Sequence, residues 1–175
     1  MVILPYLDCH SIYVIKLCFF FTLLGTTEKQ CIEMEEAIGG RDKMVELTGS
    51  KCYERFTGPQ IRKIYQNRPD CYKNTEYISL VSSFLASIFI GDVAPIDLSD
   101  ASGMNLLDIN KRIWSETCLN ACAPDLDKKL GKPVTTTSII GTIGLFFIQR
   151  YGFDINCKVA AFTGDNPSAL TGSLI

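Results

Sequence analysis

From residue 26 onward, stretches with helical spacing of apolar residues alternate with short apolar runs, and glycines close most of the helical stretches. TTEKQCIEMEEAIGG (26–40) predicts a helix capped by Thr26 or Thr27, with acidic residues early and Gly39 and Gly40 as its stop. RDKMVELTGS predicts a second short helix ended by Gly49. PQIRKIYQNRPD places Ile61, Ile64 and Tyr65 on one face, with Pro69 beyond the end. YISLV has strand-type residues, and SSFLASIFIG after it has helical spacing with Gly91 as a stop. GDVAPIDLSDASG, rich in Pro, Asp, Ser and Gly, predicts a loop, and MNLLDI a strand. NKRIWSETCLNAC predicts an amphipathic helix opened by Asn110. VTTTSII predicts a strand, GLFFIQRYGF a helix ending at Gly152, and KVAAF a short buried strand. No internal repeat is visible, and the alternation indicates an α/β domain.

The first 25 residues break this pattern. MVILPYLDCHSIYVIKLCFFFTLLG is far more apolar than the rest of the chain. A secretory signal opens with basic residues, whereas Asp8 and His10 come early here and Lys16 interrupts the run. The uninterrupted stretch from Leu17 to Leu24 is too short to span a bilayer. Three readings stand: a signal or anchor, a buried strand, or a substitute N-terminus from an alternative exon or a misplaced start. The third is the expectation.

Composition narrows the function classes. The 175 residues suffice for one domain with a core, and 47% apolar with 21% charged residues is ordinary for a globular protein. A net charge of −2 recommends no nucleic-acid partner. Eight cysteines are scattered without CxxC pairs, as in a reduced, cytoplasmic protein. Cys118 and Cys122 lie one helical turn apart, but no companion His or Cys pair follows, so no metal site is expected. With His10 the single histidine, Ser-His and Cys-His catalysis drop out. Arg62, Lys63 and Arg68 read as a solvated face rather than a phosphate site.

Near the C-terminus the run AAF leads into Thr163, Gly164, Asp165, Asn166 and Pro167. In α/β folds, functional groups sit at the carboxyl ends of strands. Gly164 permits a close approach or an unusual backbone angle. Asn166 would cap the next helix, with Pro167 in its first turn. Asp-Asn-Pro is equally a good turn and cap, so residue type alone leaves Asp165 a candidate carboxylate.

Three ordered segments carry a resemblance. LTGSKCYERFTGPQIRKIYQNRPDCY (47–72), SDASGMNLLDINKRIWS (99–115) and KVAAFTGDNPSAL (158–170) resemble the FGGY carbohydrate kinases, over about residues 26–172. The resemblance implies a ribonuclease H-like (actin-like ATPase) α/β domain, incomplete, over 26–175, with 1–25 a non-family apolar segment. It implies transfer of the ATP γ-phosphate to a sugar, D-xylulose being favoured over the sugars of glycerol, gluconate and ribulose kinases. Asp165 matches the catalytic base, Asn166 a neighbour that contacts the sugar, and Arg55, in YERF, the arginine of the substrate side. The residue types suit the chemistry. A carboxylate within reach takes the hydroxyl proton, and an amide and a guanidinium fix the sugar by directed hydrogen bonds. The implied cofactors are ATP and Mg²⁺, the metal held mainly by nucleotide phosphates. No membrane is expected as a partner.

The chain also departs from the family pattern. Gln60 and Lys63 stand where a lysine and an aromatic are usual, although Thr57, Pro59 and Pro69 are kept. The family's opening Asp and Gly-Thr turn, its upstream histidine and Trp-Asp, and its second domain with most of the adenosine site have no counterpart. Residues 1–25 stand where the upstream segment is expected, hence the reading of a substitute N-terminus. The expectation is a kinase fragment that catalyses poorly alone. The alternatives are a non-catalytic sugar-binding or interaction fragment, and a kinase for another ketopentose.

Overall fold

The computed structural model describes residues 2–5, 18–19 and 26–173. The readings placed on residues 1–25 fall largely outside the described residues. The elements run, in order, β1 (Val2–Pro5), β2 (Cys18–Phe19), α1 (Glu28–Ala37), α2 (Arg41–Thr48), α3 (Thr57–Asn67), α4 (Pro69–Lys73), β3 (Thr75–Ser79), α5 (Val81–Ile90), α6 (Leu98–Ala101), β4 (Leu107–Asp108), β5 (Ile113–Trp114), α7 (Glu116–Cys122), α8 (Leu126–Leu130), β6 (Ile139–Thr142), α9 (Leu145–Tyr151), β7 (Lys158–Ala160) and α10 (Asp165–Gly172). The backbone of β1 pairs antiparallel with β2 and β3, and β4–β5 and β6–β7 form two antiparallel ribbons.

The helical apolar stripes build one core. Met34 of α1, Met44 of α2, Ile61 of α3, Met104 and Leu106 before β4, and Leu126 of α8 are all sealed from solvent. Close approach at α3 depends on Gly58. A Cβ there would lie 2.7 Å from the Met104 carbonyl and 3.2 Å from the Met34 methyl. On the other side the Cys122 thiol donates to the Gly58 carbonyl at 3.2 Å. Gly58 therefore lets α3 sit between α1, α7 and the segment that follows α6.

Glycine stops occur where the sequence predicts them: Gly49, Gly91 and Gly152 close α2, α5 and α9 in the left-handed conformation. Three expectations are corrected. Residues 98–101, read as loop, form α6, because the Asp97 carboxylate accepts from the Asp100 amide at 3.1 Å and caps it. Asn110 does not open a helix. The Asp108 carboxylate accepts from the amides of Asn110 and Lys111, both at 3.0 Å, which turns β4 into β5. The helix starts at Glu116, capped by Ser115. The strand expected over VTTTSII begins at Ile139; Val134 bridges Asp97, and residues 135–138 turn.

The basic residues of α3 are spent internally. Arg62 pairs with Glu33 at 2.8 Å and also donates to the Ala121 carbonyl, and Lys63 donates to the Thr26 carbonyl at 2.9 Å.

Replacing Gly58 by alanine is expected to destabilise the chain by roughly 1–3 kcal/mol in denaturant unfolding, because the new methyl meets a backbone atom that cannot rotate away. A Gly58→Ala variant as stable as wild type would contradict this packing.

Candidate active site

Two chain segments, 110 positions apart, face one cleft. The first is the loop from α2 to α3, which carries Arg55. Its backbone is held from several sides. The Cys52 amide donates to Glu35 at 2.9 Å, and the Tyr53 amide to the Asn105 carboxamide at 3.4 Å. The Glu54 carbonyl accepts from the Thr27 hydroxyl at 2.5 Å and the Gln60 amide at 2.7 Å. Thr27 thus spends its hydroxyl on this loop and makes no side-chain cap on α1. Asn105 is fully buried in the left-handed conformation, and its amide nitrogen also reaches Ser50 and Lys51 at 3.2 Å. Such a satisfied buried carboxamide fixes a loop more firmly than apolar contacts do. The Arg55 side chain stays exposed. It donates to the Tyr53 hydroxyl at 3.1 Å and lies 5.3 Å from the Tyr53 ring centre. It makes no ion pair among the described residues, and it lines the cleft.

The second segment leaves β7. Val159 and Ala161 point inward, and the Ala161 amide donates to the Ser138 carbonyl at 2.9 Å. Phe162 packs on Phe89 of α5 at 5.5 Å, and Phe89 stacks on Phe147 of α9 at 4.7 Å. The chain then passes Gly164 in ordinary extended geometry, φ −70° and ψ 167°. The backbone angles suit any residue, but a Cβ here would force the Asp100 carboxylate to shift. A Cβ would stand 2.5 Å from Asp100 Oδ1. Gly164 is the N-cap of α10, so Asp165 occupies the first helical position and Asn166 the second. The expectation that Asn166 caps this helix is corrected. The Asp165 carboxylate accepts from the Asn166 amide at 2.9 Å and lies at the positive end of the helix, where an anion is favoured. Both side chains are exposed, and the Asn166 carboxamide has no partner among the described residues.

Arg55, Asp165 and Asn166 line the same cleft of about 870 Å³ with Tyr53, Ser82 and Asp100. The last three are missed by sequence reasoning. The Asp97-x-x-Asp100 spacing is a capping signal that would have placed Asp100 on a helix, but nothing local points Ser82 or Tyr53 at this cleft. Asp100 accepts from the Ser82 hydroxyl. Burial pushes its carboxyl above the ordinary aspartate value, the Ser82 bond opposes this, and the charges of Asp97 and Asp165 add to it. Thr163, also in the lining, has a buried hydroxyl oxygen without a partner. Among the described residues no group of three or more His, Cys, Asp or Glu could hold a metal ion.

Residues 24–172 match the N-terminal domain of the FGGY family of carbohydrate kinases. The chain is 56% identical over 148 residues to xylulose kinase of Rattus norvegicus, covering 85% of this chain and 28% of that protein. It is 52% identical over 148 residues to xylulose kinase 2 of Arabidopsis thaliana, covering 85% of this chain and 26% of that protein. The chain thus spans about a quarter of the length of the curated relatives it matches. In structure it is similar to xylulose kinase from Rhodospirillum rubrum, with a TM-score of 0.79 at 12% identity, covering 100% of this chain and 35% of that one. The fold is therefore that of the FGGY sugar kinases.

Two outcomes are expected from the buried polar groups. Asp100 titrates above its unfolded value, so its ionisation costs stability as pH rises from about 3.8 through the raised folded value. Asp100→Asn is therefore expected to raise the Tm at pH 7, with the gain vanishing below about pH 3.8. A gain that grows toward acid pH would reverse the sign. Thr163→Val, which removes an unpaired buried hydroxyl at constant shape, is expected to be neutral or stabilising by about 1 kcal/mol. A loss of more than that in denaturant unfolding would mean that the hydroxyl has a partner.

Proposed function

The chain belongs to the FGGY family of carbohydrate kinases, and on that premise we propose that its cleft binds D-xylulose for phosphorylation by ATP. The observation that carries the reading is the convergence of Arg55, Asp165 and Asn166 on one cleft from distant parts of the sequence. Asp165 is the general base. Its exposed carboxylate takes the proton of the sugar hydroxyl as that oxygen bonds to the γ-phosphorus and the bond to the ADP oxygen breaks. Asn166 and Arg55 hold the sugar from two sides, which sets the hydroxyl in line before the step. Tyr53 holds the guanidinium in place, so less rotamer freedom is lost when the sugar binds.

ATP supplies the phosphoryl group, and Mg²⁺ spreads its charge. A hard cation takes oxygen ligands. Among the described residues the carboxylates lining the cleft are those of Asp100 and Asp165, and Mg²⁺ would be held mainly by the nucleotide's phosphates. The reading goes with a cytoplasmic setting. No helix among the described residues is long and apolar enough to cross a membrane.

The alternative reading is sugar binding without turnover. Calorimetry with D-xylulose and ADP release with ATP and Mg²⁺ separate the two. Wild type is expected to bind D-xylulose, and Arg55→Ala to weaken binding by about tenfold, the loss of one charge-assisted contact. Asp165→Asn is expected to leave binding nearly unchanged and to reduce any ADP release by about a hundredfold or more. A folded chain that binds no D-xylulose, or binds it equally well without Arg55, would overturn the proposal.

A further inference from the structure

Asp100 lies between three elements that the reaction does not otherwise connect. It is the third residue of α6, whose N-cap Asp97 is fully buried and accepts from the Thr136 hydroxyl at 2.6 Å. One carboxylate oxygen accepts from Ser82, in the first turn of α5. The other lies against the α-carbon of Gly164, so closely that a single methyl there would stand 2.5 Å from it. Gly164 directly precedes Asp165. The carboxylate thus forms a floor under the turn that presents the base and the sugar-binding amide.

We propose that Asp100 is a positioning residue: held by Ser82 and seated against Gly164, its side chain sets where Asp165 and Asn166 stand in the cleft. The role rests on the kinase reading for its purpose but not for its geometry. It is a role of shape and hydrogen bonding, since one carboxylate oxygen accepts from Ser82 and the other faces Gly164. An asparagine, equal in size and able to accept from Ser82, should fill it. An alanine should not, because it leaves a gap beneath the turn. Conversely, Gly164 is obliged to be glycine only while Asp100 is present, because its own backbone angles suit any residue.

The test is a set of variants of the 175-residue chain: Asp100→Ala, Asp100→Asn, Gly164→Ala and the Asp100→Ala/Gly164→Ala double. Thermal unfolding, hydrogen–deuterium exchange over residues 158–173 and D-xylulose affinity are read for each. Asp100→Ala is expected to speed exchange at residues 163–168 and weaken D-xylulose binding by about tenfold, the scale of a small misplacement of binding groups. Asp100→Asn is expected to restore both. Gly164→Ala is expected to weaken binding in the wild-type background and to cost nothing further when Asp100 is already alanine. The proposal fails if Asp100→Ala leaves exchange and affinity unchanged. It also fails if asparagine is as damaging as alanine, or if the Gly164→Ala effect is the same in both backgrounds. Should wild type bind no D-xylulose, the kinase reading falls. The exchange of residues 163–168 and the coupling of the two positions in thermal unfolding still decide the positioning role.

Discussion

The geometry of the cleft depends on how closely the chain can pass the Asp100 carboxylate at Gly164. A strand exit, an acidic helix and the start of α5 meet within one methyl's width. Asp165 and Asn166 follow directly on Gly164, so the place of that turn sets where both enter the cleft that Arg55 also lines. Gly58 plays a parallel part where α3 presses on the Met104 carbonyl. The two close approaches bracket the segment from α6 to β4, which carries Asp100 at one end and Asn105 at the other. Asp100 lies against the turn that leads into Asp165, and Asn105 ties down the loop of Arg55. One short segment therefore touches both sides of the cleft, and its Met104 also lines it.

Much of the frame was legible in the sequence. Gly49, Gly91 and Gly152 close helices because only glycine enters the left-handed conformation cheaply, and that signal is local. Ile61 and Ile64 are buried as their spacing predicts. Two of the errors concern which of several nearby residues takes a helix N-cap. Asn110 is a good cap in isolation, but Asp108 captures its amide first and Ser115 takes over as the cap. Asn166 is likewise a good cap, yet Gly164 holds that place and Asn166 is left free for the cleft. Side-chain hydrogen bonds decide the first case, and spacing encodes neither outcome.

The candidate residues themselves came from the resemblance more than from pattern. Arg55, Asp165 and Asn166 are each an ordinary loop or turn residue by type, and the physical support is their meeting across 110 positions. Asp100 and Ser82 were not legible, since their value lies in a contact with a glycine that carries no side chain to signal it. The likeness to FGGY relatives at 52–56% identity shows the family, over about a quarter of their length.

The central claim is that the Arg55 loop and the Asp165 turn form a single sugar site. Amide chemical shifts of the ¹⁵N-labelled chain, followed as D-xylulose is added, test it most directly. The account predicts shifts that saturate together at Tyr53–Thr57 and Thr163–Asn166, with one shared affinity. Shifts confined to one of the two segments, or centred elsewhere, such as the groove beside Trp114 and Asn120, would contradict it.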